Sequence, residues 1–282
     1  MQLPGWGMHQ PYGYDIFDIR LNDNYPFFAA DNSNHFYYRK KNSTMSIAEN
    51  VAMIRAEMAA AAIAAGRDPK SIQLCAATKM NDADAVRQAI AAGVDCCGEN
   101  RVQELTAKLA QNAYEGAPVH FIGHLQTNKV KFVVGKVDLI QSVDSQRLLK
   151  AIDKEAARQG IRQNILLEVN IGEEASKSGF SAGDILPLME KIHEYPNVCI
   201  KGLMAIPPIS HNSGENLQFF QKMFQLSVDI RNKIDDNVMV DCLSMGMSGD
   251  FADAICAGST MIRVGTAIFG ARNYAKDSSN GC

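Results

Sequence analysis

The chain lacks any uninterrupted apolar span long enough to cross a membrane, and it does not open with the basic-then-apolar order of a secretion signal. Both absences predict a soluble, cytoplasmic protein. Basic runs are scarce too. Beyond "RKK" at 39–41 there is none, and 28 basic against 31 acidic side chains leave a formal charge of −3 over 282 residues. Neither nucleic acid nor an anionic membrane surface is therefore expected as the main partner. Seven cysteines are present (Cys75, Cys96, Cys97, Cys199, Cys242, Cys256 and Cys282), but none is paired in the Cys-x-x-Cys spacing of a metal or redox motif. An odd set lying mostly in apolar runs predicts reduced core thiols, and no metal site is assigned.

The length suits one large domain or two small ones, with enough apolar side chains for a substantial core. Residues 1–44 are rich in aromatics, Asn and Asp and poor in helical periodicity, whereas "MSIAENVAMIRAEM" at 45–58 reads like a fresh N-terminus. The first 44 residues are expected to be an appendage, disordered or the result of a start placed too far upstream, with the folded domain at 45–282.

From Ser46 the pattern becomes regular. Ile47, Val51, Ile54, Met58 and Ile63 recur at helical spacing before Gly66, which predicts a leading helix over 46–65. Short apolar runs then alternate with amphipathic stretches: 72–78 with 82–92, 95–98 with 101–113, 120–125 with 127–134, and 138–143 with 145–159. The series continues with 164–171 and 182–194, 198–206 and 214–234, 240–247 and 250–257, and ends at 261–269. Eight strands alternating with helices predict a single (β/α)8 TIM barrel with a leading helix. An open doubly wound sheet is the alternative, but "ATKMND" follows the first strand where a nucleotide-binding GxGxxG would stand.

In such a barrel, polar residues at strand C-terminal ends gather on one face. Here those ends carry Lys79, then Glu99 and Asn100, His124, Ser142 and Asp144, Asn170, the stretch from Met204 to Ile206, Ser244 and Ser248, and finally Arg263, Gly265 and Thr266. Lys79 poses the sharpest question. A strand-end lysine ordinarily reaches water along its own stem. At a barrel mouth it can instead be partly desolvated, which favours the neutral, nucleophilic amine that forms a Schiff base. The Ser- and Gly-rich "LSMGMSGD" at 243–250 and "RVGT" at 263–266 supply hydroxyls and accessible backbone N–H groups suited to a phosphate. A lysine and an anion site together imply a ligand with an aldehyde at one end and a phosphate at the other, as in pyridoxal 5′-phosphate (PLP).

Seven stretches, "ATK" (77–79), "GENRVQE" (98–104), "HFIGHLQTNK" (120–129), "SKSGF" (176–180), "GLMAIPP" (202–208), "LSMGMSGDF" (243–251) and "IRVGTAIFGAR" (262–272), resemble those of the YggS/PROSC family of PLP homeostasis proteins. The resemblance covers about residues 46–275. It implies the barrel of the alanine racemase N-terminal type, PLP held as a Schiff base on Lys79, and a role in vitamin B6 and amino-acid homeostasis. It further implies that Arg263 faces the pyridine nitrogen, that Ser244, Ser248, Gly265 and Thr266 hold the phosphate, and that Asn100 and Met204 line the pocket. His124 stands evenly between a pocket group and an ordinary loop residue. Two departures bear on the pocket wall: Met80-Asn81 stands where relatives commonly have a proline soon after the lysine, and Cys97 where an aromatic often precedes "GEN".

Two functions follow from the resemblance. One is a monomeric carrier that binds PLP, meets amino acids and hands the cofactor to apo-enzymes without established turnover. The other is an amino-acid racemase. Racemases of this fold take a second acid–base group, a tyrosine, from a further C-terminal domain, and here Tyr274 in "ARNYAKDSSNGC" is the one tyrosine beyond the last strand. The carrier is therefore the expectation.

Overall fold

The computed structural model describes residues 45–174, 177–208, 214–231 and 238–270. The expectations for residues 1–44 and for Tyr274 lie outside them. Helix α1 (Ile47–Ala64) starts at a capping box in which Ser46 and Glu49 satisfy each other's backbone N–H, and it buries Val51, Ile54, Met58 and Ala62. Eight strands follow: β1 (Gln73–Ala77), β2 (Cys96–Glu99), β3 (Val119–Phe121), β4 (Leu139–Val143), β5 (Gln163–Val169), β6 (Val198–Ala205), β7 (Val238–Ser244) and β8 (Met261–Val264). They pair in chain order, all parallel, and β8 closes on β1 with Cys75 opposite Arg263. The closed (β/α)8 barrel with its leading helix is the fold read from the sequence.

Between the strands lie α2 (Ala83–Ala91), α3 (Val102–Leu109), α4 (Gln146–Gln159), α5 (Ala182–Glu190), α6 (Leu217–Arg231) and α7 (Phe251–Cys256), with α8 (Thr266–Phe269) after the last. Asp82, Ser145 and Ser181 cap α2, α4 and α5 by accepting from backbone N–H groups of the first turn. Outward strand residues such as Leu74, Phe121, Ile165, Leu203 and Ile262 join the helices in one large core. Inward ones form separate small clusters, Cys75 with Cys96 and Met261, and Leu139 with Leu166 and Met204, each touching Cys242. That division is the period-two alternation of a strand closed into a barrel.

Several stretches differ from expectation. The 127–134 stretch forms only a 3-10 run, Thr127–Phe132: Gln126 offers no side-chain cap, and Val130, Val133 and Val134 are β-branched residues that disfavour an α-helix. The apolar run 261–269 breaks at Gly265, whose carbonyl accepts from the N–H groups of Ile268 and Phe269 at 2.9 and 3.0 Å and so starts α8. Periodicity cannot separate strand from helix in so short an apolar run. Strand β3 also stops early, because Gly123 packs against β2's end so closely that a Cβ there would lie 2.1 Å from the Asn100 carbonyl oxygen.

Candidate functional site

Lys79 follows β1 directly and is half-buried at the C-terminal mouth. The alternation that turns Cys75 and Ala77 inward turns Lys79 the same way. Its backbone is held from outside the barrel by a buried polar group. The Lys108 ammonium donates to the Thr78 carbonyl at 2.7 Å and pairs with Glu99, while the Thr78 hydroxyl donates to Glu99 Oε1 at 2.5 Å. Burial, chiefly, and the Glu99 charge push the nearby Tyr114 phenol above the tyrosine range. Beyond Lys79, the Met80 N–H donates to Glu104 Oε2 at 2.7 Å and Asn81 Nδ2 donates to the Lys79 carbonyl at 3.1 Å. Met80 itself has φ 61°, a left-handed backbone uncommon outside glycine and the kind of strain that persists at functional sites. Side chains therefore grip the chain on both sides of the lysine.

Next to β1, Arg263 projects from β8 into the barrel and is buried. Its Nη1 donates to Ser244 Oγ at 2.6 Å and its Nη2 to the Ala205 carbonyl at 2.9 Å. A guanidinium carries five N–H donors, so others remain for a ligand. Ser244 passes the contact on, donating to Gln141 Oε1 at 2.7 Å. Glu168, inward on β5, is the acidic counterpart: burial first and the Asp144 carboxylate second raise its pKa to about 7, against the pull of Arg263 and His124. Asp144 pairs with His124 Nδ1 at 2.9 Å. These two line a 240 Å³ depression over the 124–128 loop and the start of α4, away from Lys79.

The two loops read from the sequence as suited to a phosphate leave the barrel side by side. The Arg263 N–H donates to the Gly246 carbonyl at 3.0 Å, and Asp250 accepts from the Met247 N–H at 2.7 Å to hold the 247–250 turn. Ser248, Gly249 and Thr266 are exposed, and the space over Gly249 is open.

The family described as "Alanine racemase, N-terminal domain" matches residues 45–273. The pyridoxal phosphate homeostasis protein of Pasteurella multocida is 37% identical over 234 residues, covering 82% of this chain and all of that one. The chain belongs to the pyridoxal phosphate homeostasis protein family. PipY of Synechococcus elongatus, solved with PLP bound, shares 33% identity and a TM-score of 0.69 over 80% of this chain and 100% of that one. An alanine racemase from Streptomyces coelicolor, at 15% identity and TM-score 0.60 over 80% of this chain and 59% of that one, shares the fold alone.

In this family member the sequence-predicted residues fall into two levels. Lys79, Asn100, Ser248, Gly265 and Thr266 stand at the mouth, while Met204, Ser244 and Arg263 lie buried beneath it. Ser244 is engaged with Gln141 and Arg263 rather than standing in the exposed loop with Ser248. Met204 packs against Leu139 and Leu166 in the barrel interior. Asn170 serves its own loop, donating to the Glu174 and Lys177 carbonyls at 2.8 and 3.3 Å, and Ser142 donates to the Gly123 carbonyl at 2.5 Å. Sequence reasoning missed Glu168 and Lys108. Glu168 had a signal: it is the one acid inside the apolar run "ILLEVN", at the parity of Asn170.

Three observations test whether these residues fit PLP. Asn100 Oδ1 is buried with no hydrogen-bond partner, an acceptor whose burial costs free energy until something donates to it. Gly265 leaves bare backbone beside β1, where a Cβ would come within 3.3 Å of the Ala77 carbonyl oxygen. The buried guanidinium, already bonded to Ser244 and the Ala205 carbonyl, keeps further N–H donors and a positive charge that a ligand acceptor or anion can meet. A donor-bearing, anionic aromatic ligand with a ring nitrogen answers all three.

Proposed function

We propose that this protein binds PLP at the barrel mouth through Lys79 and hands it to apo-enzymes, acting as a cytoplasmic monomer in PLP and amino-acid homeostasis. The observation that carries this reading is the grip on Lys79 from Lys108, Glu104 and Asn81, beside the buried Arg263. The family name and the PLP-bound PipY support it.

When bound, PLP supplies an aldehyde that condenses with a primary amine and loses water. Lys79 presents that amine, half-buried at the barrel mouth. Arg263 donates toward the ring nitrogen and, keeping its own proton, discourages protonation there. Ser244 steadies Arg263 from below. Ser248, Thr266 and the Gly265 backbone bind the phosphate, and Asn100 accepts from the ligand.

The Ser248→Ala, Thr266→Ala double variant is expected to bind PLP roughly 10²-fold more weakly, since each hydrogen bond to a charged group contributes about 1.5 kcal/mol. Fluorescence titration with PLP and with unphosphorylated pyridoxal checks it. A loss for PLP alone fits an anion site; equal affinity for PLP in variant and parent would place the anion elsewhere.

A second reading, slow amino-acid turnover, is favoured by one observation: Glu168, with a pKa of about 7, is suited to moving protons at neutral pH. The described tyrosines, Tyr114 and Tyr195, pack instead in the outer core, so neither offers the second acid–base group of a racemase. Loss of such assistance lowers a rate by about 10²–10⁴-fold. The loaded protein is therefore expected to restore activity to an apo PLP enzyme while leaving L-amino acids unracemised and undecarboxylated. Chiral chromatography and carbon dioxide release measure the second half; robust conversion that disappears in Glu168→Gln would establish the enzyme instead.

A further inference from the structure

The barrel's opposite end holds a second constellation. Cys75 and Cys96 are Cα partners on β1 and β2, and His120 stands on the next strand. All three are buried, and one ligand atom from each lies within 4.8 Å of the others. Met261 shares a small buried cluster with both cysteines, and its thioether accepts from Gln141 Nε2 at 3.1 Å. Cys75 lies four residues before Lys79, about 13 Å deeper along the strand at a rise of ~3.3 Å per residue. A 440 Å³ cavity opens at the N-terminal face, lined among others by His120, Cys242 and Met261, so the His120 and Met261 edge of this cluster is approached without passing through the mouth.

We propose that Cys75, Cys96 and His120, with Met261 beside them, form a buried site for a thiophilic d10 metal ion, copper(I), entered from the N-terminal end of the barrel. Thiolates, a thioether and an imidazole are soft or borderline donors, a set that suits copper(I) and does not suit hard cations. On binding, the two thiol protons leave to solvent, and the resulting singly negative copper dithiolate is balanced by the Arg263 guanidinium. Gln141 stands behind the imidazole, 2.9 Å from His120 Nδ1. Copper on Nε2 puts the ring proton on Nδ1, and Gln141 turns its amide to accept it, as outer-shell partners of metal-bound histidines do.

The test is anaerobic competition of the reduced, full-length protein against the copper(I)–bicinchoninate complex. The parent is expected to withdraw about one equivalent, Cys75→Ser and Cys96→Ser to bind at least 10²-fold more weakly, and His120→Gln to weaken binding with both thiols in place. Cys97→Ser, whose side chain belongs to the outer core, and Lys79→Ala should match the parent, separating this site from the PLP reading. X-ray absorption of the copper-loaded parent should show sulfur and imidazole scatterers, a readout that stands even if a cysteine variant fails to fold. No withdrawal by the parent overturns the proposal. So does withdrawal unchanged in Cys75→Ser, which would mean adventitious copper on Cys199 or the exposed Cys256, and so does zinc(II) held in preference to copper(I).

Discussion

Lys79→Ala is expected to abolish covalent retention of PLP and with it the visible absorbance of the loaded protein, while leaving melting temperature and far-ultraviolet circular dichroism close to those of the parent. The effect is total because the covalent bond needs an amine at this place, and alanine supplies none. The fold survives because Lys79 follows β1 at the mouth, and the apolar clusters that fill the barrel and surround it lie below. Borohydride reduction of the PLP-loaded parent, followed by peptide mapping, should put the modified residue within "AATK". A borohydride-stable chromophore in Lys79→Ala would assign the amine to another lysine.

Lys108→Ala should carry the largest cost in stability. It removes the only cation paired with the fully buried Glu99 among the described residues and frees the Thr78 carbonyl. Removing one partner of a buried pair leaves an uncompensated charge and destabilises by about 3–5 kcal/mol. For a domain of this size that corresponds to a melting temperature lower by roughly 10 °C. The double variant Glu99→Gln, Lys108→Met should recover most of it, since replacing both members removes the orphaned charge. Urea unfolding of the three variants decides the matter; a single variant as stable as the parent would mean that Glu99 is held by something other than Lys108. Because Thr78 precedes the proposed attachment point, Lys108→Ala should also weaken PLP binding.

The order and approximate limits of the strands were legible because each short apolar run ends in a polar residue or glycine before a helical period begins, as at Lys79 and Asn170. The mouth residues were legible for the same reason. What could not be read is what depends on closure. Lys108 reads as an ordinary helix lysine until α3 is laid against β1 and β2, where it meets groups thirty and nine residues away in sequence. The line from Arg263 through Ser244 to Gln141 and His120 joins four strands across the barrel interior. No local spacing encodes such a path. The break at Gly265 was hidden because "MIRV" and "TAIF" on either side are equally apolar.

The pairing of the first strand with the last sets a timetable for synthesis. Gln73 pairs with Met261, and the Asn50 side chain of the leading helix donates to the Ile268 carbonyl at 2.8 Å, 218 residues further on. At about 5–20 residues per second, β1 leaves the ribosome some 10–40 s before its β8 neighbour exists. Through that interval one edge of β1 has no strand to bond, and the apolar face of α1 has no α8 to cover. Such an edge is a template for pairing with other chains. The nascent chain is therefore most exposed to misassembly just before β8 emerges, and Arg263, carried on that strand, takes its place in the barrel interior only after the ring of strands has shut.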